Sequence, residues 1–145
     1  MIRRCHVVAA LTGFVTILTF WFATISIELL GSERQVAYVK EATTFGLFLL
    51  VPALAVAGAT GAYLGRGSTD QRILAKKHRM SFIAANGILI LVPCVLYLDH
   101  LASRGEFDAA FVAVQSIELL AGVLNLVLMG LNIRDGMRLA GHVRR

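Results

Sequence analysis

The sequence predicts an all-α integral membrane protein: a four-transmembrane-helix bundle with both termini cytoplasmic. Three observations carry this. Hydrophobic residues make up 57% of the 145 and charged residues only 16%, against roughly a quarter charged in soluble domains. Apolar runs suited to helical spans of ~20 residues occur four times, at about 7–30, 43–64, 81–98 and 109–133. The basic residues stand beside the ends of those runs in an alternating pattern. No stretch outside the four runs is long enough for a separate soluble domain, so residues 1–145 form a single four-span membrane domain.

Arg3 and Arg4 precede the first run. A run of this length, with no small-x-small cleavage site after it, reads as an uncleaved span rather than a secretory signal. Thr12, Thr16, Thr19, Ala23 and Ser26 recur at helical spacing and form a small, weakly polar seam suited to close helix contact. The segment 32–42 balances Glu33 and Glu41 against Arg34 and Lys40 and reads as a neutral loop. The second run contains Pro52, where a kink is expected. Its residues Ala57, Gly61 and Gly65, spaced by four, would let another helix approach.

The segment 66–80 reads as the one substantial loop. Arg66, Arg72, Lys76, Lys77 and Arg79 outweigh Asp70, for a net charge of +4. The third run places Asn86, Pro93, Tyr97 and His100 on one helical face, and the acidic loop 99–108 follows. After the fourth run, Arg134, Arg138, Arg144 and Arg145 outweigh Asp135. Basic amino end, basic middle loop and basic tail alternate with a neutral and an acidic loop. The positive-inside rule then puts both termini and segment 66–80 in the cytoplasm, in a plasma membrane or bacterial inner membrane.

The fourth run holds the unusual chemistry. Gln115, Glu118, Gly122, Asn125, Met129 and Asn132 recur at steps of three and four, which places them on one stripe of a helix. A carboxylate and three amides cannot comfortably face hydrocarbon, so this seam must face protein or water. At 1.5 Å per residue Glu118 lies roughly 13 Å from the outer end of its span, and Asn125 about 10 Å further in. Asn86 enters from the cytoplasmic end of the third span to a depth comparable with Asn125. Glu28, Asp99 and His100 sit at the outer ends of spans one and three. Together these residues would form a broken polar track, with Gln115 and Asn132 towards its two ends.

Two functions fit. One is transport of a small solute or ion, with Glu118 as the exchanging group, Asn125 and Asn86 as polar lining, and Glu28, Asp99 and His100 as an outer vestibule. A bundle this small would then act as a homo-oligomer. The other is a non-catalytic subunit of a larger membrane complex, docking through its polar seam and small-residue faces. The bland counterpart for Glu118 is a protonated side chain bonded to Asn125 or Asn86, holding helices together at about 0.6 kcal/mol per contact.

Other classes fare worse. A b-type haem needs histidines facing one iron, but His78 and His100 are 22 residues apart, about 33 Å along a helix. His6, His78 and His142 have no i,i+4 pairing that suits a metal, and Cys5 and Cys94 form no CxxC. No cofactor or metal is expected. No GxSxG, HExxH or phosphate-binding motif occurs, which argues against an enzyme. The basic residues are explained by topology, so no nucleic acid is expected; the lipid bilayer is the expected surrounding.

Overall fold

A computed structural model of the chain describes residues 1–68 and 70–142, and for residues 72 and 139–142 the backbone alone. Arg144 and Arg145 lie outside the described residues, as do the side chains of Arg72 and His142. The described chain is all helical: α1 (Ile2–Leu30), α2 (Glu33–Leu64), α3 (Gln71–Asn86), a π-helical turn (Gly87–Leu91), α4 (Val92–Ser103) and α5 (Ala109–His142). The π turn joins α3 and α4 into one continuous rod. Four helices are thus long and apolar enough to cross a membrane: Ile2–Leu30, Glu33–Leu64, Ile73–Ser103 and Ala109–Arg138. Successive helices run in opposite directions, so α1 starts and α5 ends at the same end of the bundle.

The helices are longer than the apolar runs alone indicate. α2 begins at Glu33, ten residues before the expected start at 43, because Ser32 and Gln35 form a capping box. The Ser32 backbone N–H donates to Gln35 Oε1 at 2.8 Å. Segment 33–42 is therefore helix, and only Gly31 and Ser32 connect α1 to α2. Likewise most of segment 66–80 is helix: Arg66 and Gly67 belong to the turn that ends α2, and α3 starts at Gln71. Gly67 makes that turn with φ +72, in the left-handed region that glycine enters without steric cost.

The π turn has a local cause. Pro93 has no N–H and its ring crowds the carbonyl four residues back, so the hydrogen-bond ladder slips just before it. The Val92 N–H bonds to the Gly87 carbonyl, one residue further back than an α-helix requires. The slip rotates everything downstream. Asn86 faces the core with Ile83, but from α4 it is Val95, Leu98, Leu101 and Ala102 that are buried. Pro93, Tyr97 and His100 turn outwards, so the expected shared face with Asn86 does not form. At Pro52, by contrast, α2 continues unbroken, and the ring is exposed.

Helix packing also redraws the first seam. α1 buries Ala9, Gly13, Ile17 and Thr24, whereas Thr19 and Ser26 of the expected stripe are exposed. Thr19 Oγ1 donates back to the Val15 carbonyl at 2.9 Å, satisfying itself within its own helix. The small stripe on α2 does receive α1. Ala57 is buried, and a Cβ on Gly61 would come within 3.1 Å of the His6 ring. His6 Nδ1 lies 3.0 Å from the Ala57 carbonyl and 3.1 Å from Thr60 Oγ1, tying the two helices near the terminal end. Among the described residues the core has two apolar clusters: Val36, Leu98, Leu101, Ala102 and Phe111 at the end away from the start of α1, and Ile17, Leu50, Ile83 and Met129 mid-bundle.

Candidate functional site: a buried ion pair beside a core cavity

The polar stripe of α5 faces the bundle interior. Gln115, Glu118, Gly122, Asn125, Met129 and Asn132 are all buried, and their partners come from α2 and α3. The stripe divides into three levels seven residues apart, about 10 Å each along the axis.

The level furthest from the termini holds Glu118. Its Oε2 accepts from Lys40 Nζ at 2.9 Å and from Gln115 Nε2 at 3.0 Å. Lys40 is 0% exposed and Glu118 9%. The expected partners of Glu118, Asn125 and Asn86, are thus replaced by a cation from a segment read as solvated loop. Lys40 carries three N–H donors, and Glu118 is its one hydrogen-bond partner among the described residues. Glu118 Oε1 takes neither of the two bonds, and the buried Gln115 Oε1 has no partner. The level is neutral in sum yet has unused donors and acceptors, an expensive arrangement in an apolar interior.

Lys40 escaped the sequence reading because charge in a short interhelical stretch looks like a loop. A signal was nevertheless present. Val36, Lys40, Thr43, Leu50 and Ala57, the buried residues of α2, share one helical stripe that runs from the "loop" straight into the apolar segment.

The middle level is amide on amide. Asn86 Nδ2 donates to Asn125 Oδ1 at 2.9 Å and to the Ala121 carbonyl at 3.0 Å. Asn125, 0% exposed, directs its Nδ2 to the Ile83 carbonyl at 3.5 Å. The comparable depth expected for the two asparagines is met by direct contact. Because Asn86 Nδ2 and both polar atoms of Asn125 are engaged with each other and with backbone, this level reads as a clamp between α3 and α5. A double-mutant cycle of Asn86→Leu and Asn125→Leu is expected to show about 1 kcal/mol of coupling in detergent unfolding, within the range for membrane hydrogen bonds. Zero coupling would remove the clamp.

The level nearest the termini is ionic again. Arg79 Nη1 donates to Asp135 Oδ2 at 2.7 Å and to Asn132 Oδ1 at 3.3 Å, while Arg134 Nη2 stands 3.4 Å from Asp135 Oδ1. Asn132 therefore ends the stripe in an Arg79–Asp135 bridge rather than in open solvent.

Of the outer residues, Glu28 and His100 are exposed and Asp99 is half-buried. None of the three side chains forms a hydrogen bond with Lys40, Glu118 or Gln115, but Glu28 stands within electrostatic reach of both Lys40 and Glu118. Among the described residues no three His, Cys, Asp or Glu side chains stand together as a metal set.

Between the levels lies a cavity of about 260 Å³. Its walls are mostly apolar, from Ile17, Phe20, Leu47, Leu50, Leu54, Ile83, Leu91 and Val95, with Glu118, Asn125, Thr24 and Thr43 contributing polar groups. Trp21 closes one side, its Nε1 donating to the Leu119 carbonyl at 3.2 Å. Val51 and Ala55 of α2 and Ala84 and Ile88 of the third rod line the cavity and are exposed. The cavity therefore opens sideways between these two helices, near their midpoints. The arrangement can hold a small molecule against a charge-compensated carboxylate. Compared with protein-family models, curated proteins and solved structures, the chain matches none.

Proposed function

We propose that the chain is a small membrane transport protein in which the Lys40–Glu118 pair is the group that a solute or proton exchanges with. One observation carries this reading: a deeply buried ion pair presents its carboxylate, Glu118, to the wall of a core cavity. Buried ion pairs contribute little to stability compared with well-packed apolar residues of the same volume, and ionisable groups at membrane depth mark pathways more often than scaffolding. Asn86 and Asn125 are the clamp beside the cavity. The basic end of the bundle, with Lys76, Lys77 and Arg79, faces the cytoplasm by the positive-inside rule.

The test is proton flux into pyranine-loaded liposomes carrying the purified chain. The parent is expected to exceed empty liposomes, and Glu118→Gln to fall at least tenfold. Parent-level flux in Glu118→Gln would take Glu118 out of the mechanism; no parent flux would end the proton-exchange reading.

A membrane-complex subunit is the second reading, favoured by the outward stripe of α1 that includes Thr19 and Ser26. The α5 seam cannot serve such a docking role, because the chain's own helices cover it. Purification in mild detergent separates the readings: a stable heteromeric complex, with an isolated chain that carries no flux, supports the subunit.

A further inference from the structure

The ligand of the core cavity is determined by how it is reached and by what its polar end lacks. The opening lies between Val51 and Ala55 on one side and Ala84 and Ile88 on the other, near the middle of helices long enough to span a bilayer. At that height the surroundings are acyl chains rather than water. A molecule entering there must already be dissolved in lipid. Gly58 leaves further room on the wall, since a Cβ added there meets nothing within 4 Å.

The polar end selects the headgroup. Glu118 is 9% exposed and lines the cavity, and its Oε1 accepts neither of the hydrogen bonds that its Oε2 receives. Lys40 and Gln115, which bond to Glu118 Oε2, stand behind it and do not line the cavity, so Glu118 is the charged group that meets the ligand. Because Lys40 already balances Glu118 at 2.9 Å, a cationic or anionic headgroup would leave a net charge in an apolar interior, at a cost of several kcal/mol. A hydroxyl both donates and accepts without adding charge. At about 260 Å³ the cavity is smaller than the ~300–1,000 Å³ of drug-sized sites, so it takes a headgroup and part of a chain while the tail runs out into lipid.

We propose that the cavity between α1, α2, α3 and α5 binds an uncharged, lipid-soluble hydroxyl compound that enters sideways from the bilayer, its O–H on Glu118. The proposal rests on the transport reading for its choice of site and names the solute class.

Trp21 lines the cavity and is the chain's one tryptophan, which makes its fluorescence a reporter. The probe is β-bromododecanol, titrated into the purified chain in phosphatidylcholine nanodiscs. Bromododecane is the control without hydroxyl, and bromododecyltrimethylammonium the cationic one. Saturable quenching by the alcohol, at least tenfold tighter than by the alkane or the cation, is expected. Gly58→Leu, with helicity unchanged by circular dichroism, should abolish saturation. The Lys40→Leu/Glu118→Leu double variant should keep saturation but lose the preference for alcohol. Equal affinity for alcohol and alkane, preference for the cation, or unchanged quenching in Gly58→Leu would overturn the proposal. Alcohol preference alongside Glu118-independent flux would sink the transport reading alone; Glu118-dependent flux without alcohol preference would sink this one alone.

Discussion

Lys40→Met and Glu118→Leu, each made alone, are expected to destabilise the bundle by about 3–5 kcal/mol, and the two together by less than either. Each single variant leaves one charge in the interior without its counter-ion, and such orphaned charges carry penalties of that size. Lys40 has no exposed surface, so it cannot reach water while the helices stay packed. Gln115 cannot compensate, because its amide is neutral and its Nε2 is directed at Glu118. The double variant removes both charges and fills the space with apolar atoms, which in other buried pairs is neutral or stabilising. Unfolding in mixed detergent micelles, followed by circular dichroism, measures all three. Additive losses in the double variant would show that the two residues do not act as a pair. The same cycle bears on function: a double variant that is as stable as the parent yet carries no flux would show the pair to be kept for activity rather than for folding.

The second large effect is expected at Gly46. A Cβ built there falls inside the van der Waals envelope of the Phe20 ring, meeting three of its atoms at once. Gly46→Ala must therefore push α1 and α2 apart or drive the ring into the core cavity that Phe20 already lines. Overpacking of this kind costs about 1–3 kcal/mol, and Gly46→Leu is expected to exceed that range. Phe20→Leu shortens the obstacle, so adding it to Gly46→Ala should recover most of the loss. Thermal unfolding in detergent checks the pair. If Phe20→Leu gives no rescue, the close approach of α1 and α2 at this point is not what limits the site. By comparison Gly58, with open space around its side-chain position, should accept alanine with little change in stability.

Four apolar helices and an inward-facing stripe on α5 were legible because each depends on residues near one another in sequence. Hydropathy sums over ~20 neighbouring positions, and the 3.6-residue period places Gln115, Glu118, Asn125 and Asn132 together without knowledge of any other helix. That a helix packs on the Ala57–Gly61 stripe was legible for the same reason, but only the assembled bundle shows that it is α1. The face shared by Asn86 and His100 failed because one extra residue in the π turn before Pro93 rotates all that follows. Of the Thr12–Ser26 seam, Thr12, Thr16 and Ala23 are half-buried while Thr19 and Ser26 face outwards; Thr19 bonds to its own helix, so its polarity says nothing about which face packs.

Lys40 marks the boundary between what the sequence by itself determined and what tertiary structure alone decided. Locally it is a charged residue near the start of a helix, and local physics sends such a side chain to water. Its counter-ion stands 78 positions away on α5. Only the packing of α2 against α5 brings the two within 2.9 Å and makes burial of both charges tolerable. The sequence determined that the chain forms four apolar helices with a carboxylate deep in the last, because hydropathy and helical period are short-range properties. Which charge neutralises that carboxylate, and that a laterally open cavity forms beside it, are long-range properties that exist only in the assembled bundle.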